Sequence, residues 1–168
     1  MLKTVACILI DGVAPFEFGV ISEVFGIDRT EDGVPPFELR VCGERSGVPL
    51  QAGVGVQMTP EHGLDALDGA HLVALPAYRI RDDYPKAVLD ALRTAAANGA
   101  TLLSVCTGAF LLGATGLLDG RRCTTHWRHV EKFAARFPLA HLDPDVLFVD
   151  DGNIVTSAGT AAGIDACL

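Results

Sequence analysis

Apolar positions along the chain switch between a strand-like and a helix-like spacing. Continuous apolar runs of strand length fall at residues 4–10, 70–75 and 101–105, each stopped by a turn signal or proline, and such runs suit parallel strands buried on both faces. A further extended run, 37–42, follows Pro35-Pro36, and residues 47–58 alternate as a hairpin or edge strand would. Between these runs the spacing is helical. Pro15 opens a helix whose Phe16, Val20 and Val24 form one stripe, with Ile21 and Phe25 beside it. Residues 64–67 make a short helical turn, and Pro85 opens a helix through Val88, Leu89 and Leu92 that ends at Asn98-Gly99. Later, residues 121–125 are extended, Val130, Phe133, Ala134 and Phe137 mark another helix, and 146–149 with 154–156 read as a hairpin. Alternating strands and helices of these lengths predict an α/β sandwich around a mostly parallel sheet.

The chain is centred on Ser104-Val-Cys106-Thr-Gly108, where a buried strand gives way to a helix within a few residues. So short a link forces a sharp turn, and small residues on either side relieve the crowding, as in a nucleophile elbow. A cysteine at such a turn lies near helix N–H groups and the helix dipole, which predicts a stabilised thiolate and a place for an oxyanion. It can equally be a small buried hydrophobe. Glu17 falls in the first turn of the first helix. There it either complements the helix dipole or stands beside Cys106, because loops after parallel strands share one crevice. If the two are adjacent, Glu17 is expected to be protonated and to donate to the sulfur, since a carboxylate beside a thiolate raises both pKa values. His126, delivered by the extended segment after the elbow helix, is the candidate base, pocket wall or structural hydrogen-bond partner. Pro76-Ala77-Tyr78 brings backbone groups to a strand's C-terminal end.

Composition narrows the function. A length of 168 residues with 49% hydrophobic residues suits one domain, 1–168, with a sizeable core. The net charge of −8, with 13 scattered Lys and Arg, argues against nucleic-acid binding by this segment. Five cysteines without a C-x-x-C pair suggest neither a disulfide framework nor thiolate zinc, and point to a reducing cytoplasm. Cys123 with His126 and His129 lacks a further ligand, so no metal and no cofactor are expected. The opening apolar run is too short for a signal-peptide core or a membrane span. At the other end, Ile164, Cys167 and Leu168 keep helical spacing with no stop signal, so a longer polypeptide is expected to continue past Leu168.

Ser104-Val-Cys-Thr-Gly-Ala109, Thr124-Thr-His-Trp127, Phe16-Glu-Phe-Gly19 with Glu23-Val-Phe-Gly26, and Thr156-Ser-Ala-Gly-Thr-Ala-Ala-Gly-Ile-Asp165 together resemble the ThiJ/PfpI superfamily, the class I glutamine amidotransferase-like fold. The pattern looks most like the amino-terminal domain of AraC-family transcriptional regulators. The resemblance implies a flavodoxin-like, doubly wound, mostly parallel sheet with helices on both faces, a homodimer, and helix-turn-helix motifs in a domain beyond this segment. It also implies that Glu17 hydrogen-bonds Cys106. Thr107 stands where peptidase-like members place a histidine, so that dyad is absent. Isonitrile hydratases share the Cys-Thr-Gly turn and the Thr-Thr-His-Trp stretch but carry aspartate at the position of Glu17. Two functions follow as expectations. One is a ligand-sensing, dimerising module binding a small metabolite among Glu17, Ala77, Cys106, Thr107 and His126; the other is a small enzyme that hydrates a carbon–nitrogen group, with Cys106 as nucleophile, Glu17 as acid or base and His126 assisting. An exposed, low-pKa Cys106 would also be open to oxidation.

Overall fold

A computed structural model of the protein describes residues 2–168. The apolar runs form the middle of one sheet. Strand β1 (Thr4–Ile8) is followed by α1 (Pro15–Gly26) and β2 (Glu38–Cys42), and then by a small hairpin, β3 (Leu50–Gln51) with β4 (Gln57–Met58). Next come β5 (Leu72–Leu75), α2 (Lys86–Ala97), β6 (Thr101–Val105) and α3 (Gly108–Ala114). The last stretch holds β7 (Arg122–Cys123), α4 (Val130–Arg136), β8 (His141–Leu142), β9 (Phe148–Asp150), β10 (Ile154–Ser157) and α5 (Ala162–Cys167).

The six-stranded sheet has the order β2-β1-β5-β6-β10-β9. All its pairings are parallel except the one between β10 and β9. Counting only the parallel strands, the spatial order is the flavodoxin-like 2-1-3-4-5, in which ligands gather beyond the carboxyl ends of the strands. The chain crosses from β1 to β2 in one direction and from β5 through β6 to β10 in the other. Right-handed crossovers therefore put α1 on one face and α2 with α3 on the opposite face; α1 packs against α5, and α2 against α3. The expected doubly wound α/β fold is present.

Several boundaries and faces differ from expectation, each for a packing reason. Strand β1 ends at Ile8, although Leu9 and Ile10 stay buried and the Leu9 N–H still donates to the Cys42 carbonyl. In α1 the apolar stripe does not all point inward: Phe16 is 55% exposed, whereas Glu17 is 4% exposed and shares the inner face with Val20, Ile21 and Phe25. The fold thus buries a carboxyl where spacing alone put a phenyl ring. Segment 121–125 is extended as expected, but β7 pairs in parallel with β8, a contact outside the main sheet. In α5 the buried residues are Ala162 and Gly163, while Ile164 and Leu168 are exposed. The close approach of α5 to the sheet explains the choice, since a Cβ on Gly163 would lie 2.6 Å from Val105 Cγ1.

Candidate functional site

Loops after β1, β5, β6 and β10 meet at the carboxyl edge of the sheet, and Cys106 stands at their centre. Its φ of +57° puts a non-glycine residue in the left-handed region, which costs roughly 1–2 kcal/mol and persists only where neighbours fix it. They do: the Cys106 N–H donates to the Ser157 and Ala158 carbonyls at 3.1 and 3.2 Å, and Thr125 Oγ1 donates to the Cys106 carbonyl at 3.1 Å. The turn leaves no room on its far side. A Cβ on Gly108 would lie 2.5 Å from the Leu75 oxygen and 2.6 Å from the Pro76 oxygen.

The residues expected around Cys106 divide into those whose polar groups are free and those already committed. Thr107 Oγ1 donates to the Tyr78 carbonyl at 2.7 Å and accepts from the Tyr78 N–H at 3.1 Å. The Ala77 carbonyl accepts from the Ala14 N–H at 2.8 Å, and the Arg79 N–H donates to the Gly12 carbonyl at 2.8 Å. These bonds clamp the loop after β5 between the elbow and the loop that leads into α1. Tyr78, named from the sequence only for its backbone, completes the clamp by donating its phenol to the Ile8 carbonyl at 2.6 Å. Glu17 comes close enough for its charge to act on the thiol.

The electrostatics reverse the expectation of a stabilised thiolate. Burial first, and the Glu17 carboxylate second, push the Cys106 thiol up to about 11. The backbone N–H groups of Thr107 and Thr160 pull the other way and do not win, and the Thr107 hydroxyl proton is held by the Tyr78 carbonyl. Helix α3 spans only Gly108–Ala114, so its dipole is small and begins beyond the cysteine. Glu17→Gln should therefore lower the Cys106 pKa from about 11 while leaving it above the ordinary thiol range, because desolvation is the larger cause. The check is the thiolate absorbance that disappears on Cys106→Ser, titrated in both backgrounds; an unchanged or higher pKa would refute the charge effect.

Cys42, Cys123 and Cys167 are also pushed up to about 11 by burial, and Cys7 is raised further still. Above the ordinary thiol pKa of about 8.5, the unfolded chain loses these protons and the folded chain keeps them. Folding stability is then fully present below that pH and falls as pH rises toward about 11. Urea unfolding between neutral and strongly alkaline pH should show the midpoint dropping in that window. A flat midpoint would mean that the folded thiols ionise as freely as unfolded ones.

His126 is positioned near the elbow without being bonded to the thiol. Its Nδ1 accepts from the Arg128 N–H at 3.1 Å, which caps the turn Trp127–His129. Its ring stacks on Trp127, with centroids 5.4 Å apart, and abuts Gly159, where a Cβ would lie 2.1 Å from His126 Cδ2. The imidazole is therefore held between the loop after β10 and an indole that is 69% exposed. Gly159 and Thr160, the latter at φ +42°, were legible only as part of a small-residue motif. A surface cavity of about 330 Å³ lined by residues including Leu9, Asp11, Arg45 and Leu50 contains none of Glu17, Cys106 or His126. Among the described residues, no three His, Cys, Asp or Glu side chains are placed to hold a metal ion, and no helix is long and apolar enough to cross a membrane.

With this geometry in hand, the chain can be set beside known proteins. It is 33% identical over 125 residues to the isonitrile hydratase of Pseudomonas putida, covering 72% of this chain and 53% of that protein. It is 34% identical over 123 residues to the HTH-type transcriptional regulator CdhR of Pseudomonas aeruginosa, covering 73% of this chain and 36% of the regulator. The chain thus spans about half the length of the first relative and about a third of the second. Its fold matches an AraC family transcriptional regulator from Pseudomonas putida, with a TM-score of 0.81 at 20% identity over 98% of this chain and 88% of that one. It also matches Drosophila melanogaster DJ-1beta, with a TM-score of 0.80 at 22% identity over 99% of this chain and 87% of that one. The DJ-1/PfpI family matches residues 3–168. With an elbow cysteine on a flavodoxin-like sheet and a family match from end to end, the chain belongs to the DJ-1/PfpI family.

Proposed function

We propose that this chain is the ligand-sensing and dimerising domain of an AraC-type transcriptional regulator. The crevice around Cys106 binds a small metabolite, and the DNA contacts lie in a domain beyond Leu168. The observation that carries this reading is a well-formed but chemically quiet elbow. The thiol is buried, held up at about 11, and has no hydrogen bond from His126, whereas a nucleophile needs a base within reach or a lowered pKa. The acidic surface, with a net charge of −8, supports a reading in which DNA contacts are made outside this segment. Within the crevice the Thr107 hydroxyl and the Ala77 carbonyl are occupied. Ligand recognition then falls to the Glu17 carboxylate, the edge of His126 and the N–H groups that face the sulfur, with Ala77, Cys106 and Thr107 as walls. Glu17 favours a ligand carrying an amino or other hydrogen-bond-donating group. Free cysteines throughout suit a cytoplasmic protein.

A second reading rests on the likeness to isonitrile hydratase. In it, Cys106 attacks a polarised carbon–nitrogen group and Glu17 transfers the proton. The size of the native protein and its turnover of isonitriles separate the two readings.

A further inference from the structure

Behind the elbow, the sheet carries a group of hydroxyls among its apolar residues. Ser104 on β6 stands opposite Thr156 on β10, so both side chains leave the same face of the sheet. Thr124, just past β7, donates its backbone N–H to Thr156 Oγ1 at 2.8 Å. All three residues are fully buried. Thr156 Oγ1 has that one bond, but Ser104 Oγ and Thr124 Oγ1 have no protein partner.

An isolated buried hydroxyl is costly, and native interiors satisfy such groups with protein atoms or with an ordered water. Here two residues with unpartnered hydroxyls neighbour Thr156, Ser104 across the strand pair and Thr124 through its N–H bond, and among the described residues no partner takes the proton of Thr156 Oγ1. Three polar partners are the usual complement of a buried water. We propose that Ser104, Thr124 and Thr156 hold one internal water molecule. The water bridges β6 and β10 to the segment after β7. That segment matters to the site, because the next residue, Thr125, bonds the Cys106 carbonyl and the one after it is His126. The water is thus part of what fixes His126 relative to the elbow. This inference stands whether the crevice senses a ligand or hydrates one.

The test compares Ser104→Ala, Thr124→Val and the double variant in urea unfolding of the full chain, alongside a high-resolution crystal structure of the unaltered protein. A bridging water predicts that each single change lowers the folding equilibrium constant roughly five- to tenfold, and that the double change costs clearly less than the two combined, since the same water is lost only once. The crystal structure should show a water within hydrogen-bonding distance of Ser104 Oγ and Thr124 Oγ1. Single variants as stable as the parent, or more stable, would overturn the proposal, because an apolar group replacing a dry, orphaned hydroxyl removes a penalty. So would electron density showing the two hydroxyls bonded directly to each other. If either variant fails to fold, the crystal structure alone decides.

Discussion

Gly108→Ala is expected to destabilise the protein by about 3 kcal/mol, lowering Tm by roughly 6–12 °C, and to displace the elbow. The cause is local and severe. The new methyl would meet two backbone carbonyls, those of Leu75 and Pro76, at 2.5 and 2.6 Å. Neither oxygen can rotate away as a side chain would, and Pro76 leads into the loop that Thr107 and Ala14 hold in place. The matched control is Gly19→Ala in α1, where a Cβ meets nothing within 4 Å. Alanine there should be neutral or stabilising by up to about 1 kcal/mol. Calorimetry on the two variants gives the comparison, and equal melting temperatures would show that the elbow is looser than the close approach at Gly108 requires.

Phe110→Ala should cost about 3–5 kcal/mol, the usual range for a fully buried phenyl ring. Phe110 is inaccessible to solvent and meets Phe133, Phe137 and His129 edge-on at centroid distances of 5.1, 6.0 and 6.3 Å. It links the elbow helix α3 to α4, and Phe137 packs in turn over Gly113 of α3. Loss of the ring should also loosen the turn that carries His126 to His129. Trp127, the single tryptophan of the chain, reports on that turn through its stacking on His126. A large fall in the urea midpoint with a shifted indole emission is expected. A large fall with unchanged emission would mean that the turn is held independently of the aromatic cluster.

The fold was largely legible because its strands are short apolar runs and its turns are marked by Gly, Pro, Asn and Asp. The elbow was legible for the same reason, since an apolar run that stops at Ser-Val-Cys-Thr-Gly has few other ways to continue. What sequence spacing misjudged was orientation. The stripe through Phe16 followed a helix seen alone, whereas packing of α1 buries Glu17 instead. The ionisation of Cys106 was misjudged for a related reason. Helix-terminus arguments favour a thiolate, but the sequence does not show how deeply the sulfur is buried or that a carboxylate lies beside it, and those two effects prevail. Thr107 was expected to face a ligand, and its hydroxyl is instead spent on Tyr78, a partner 29 residues away in sequence. Such long-range pairings of backbone with hydroxyl leave no periodic trace. For His126 the sequence shows the extended segment that precedes it, but its bond to the Arg128 N–H and its seat against Gly159 depend on the loop after β10.

The most direct measurement is the intact mass of the native protein from its source, taken with an isonitrile turnover assay in which Cys106→Ala is the control. A sensing domain of a regulator predicts a mass well above the 17.7 kDa of this chain, the excess being a basic helix-turn-helix domain after Leu168, and no turnover that depends on Cys106. A native mass of 17.7 kDa, with isonitrile hydration abolished by Cys106→Ala, would contradict the sensing reading and establish the enzyme in its place.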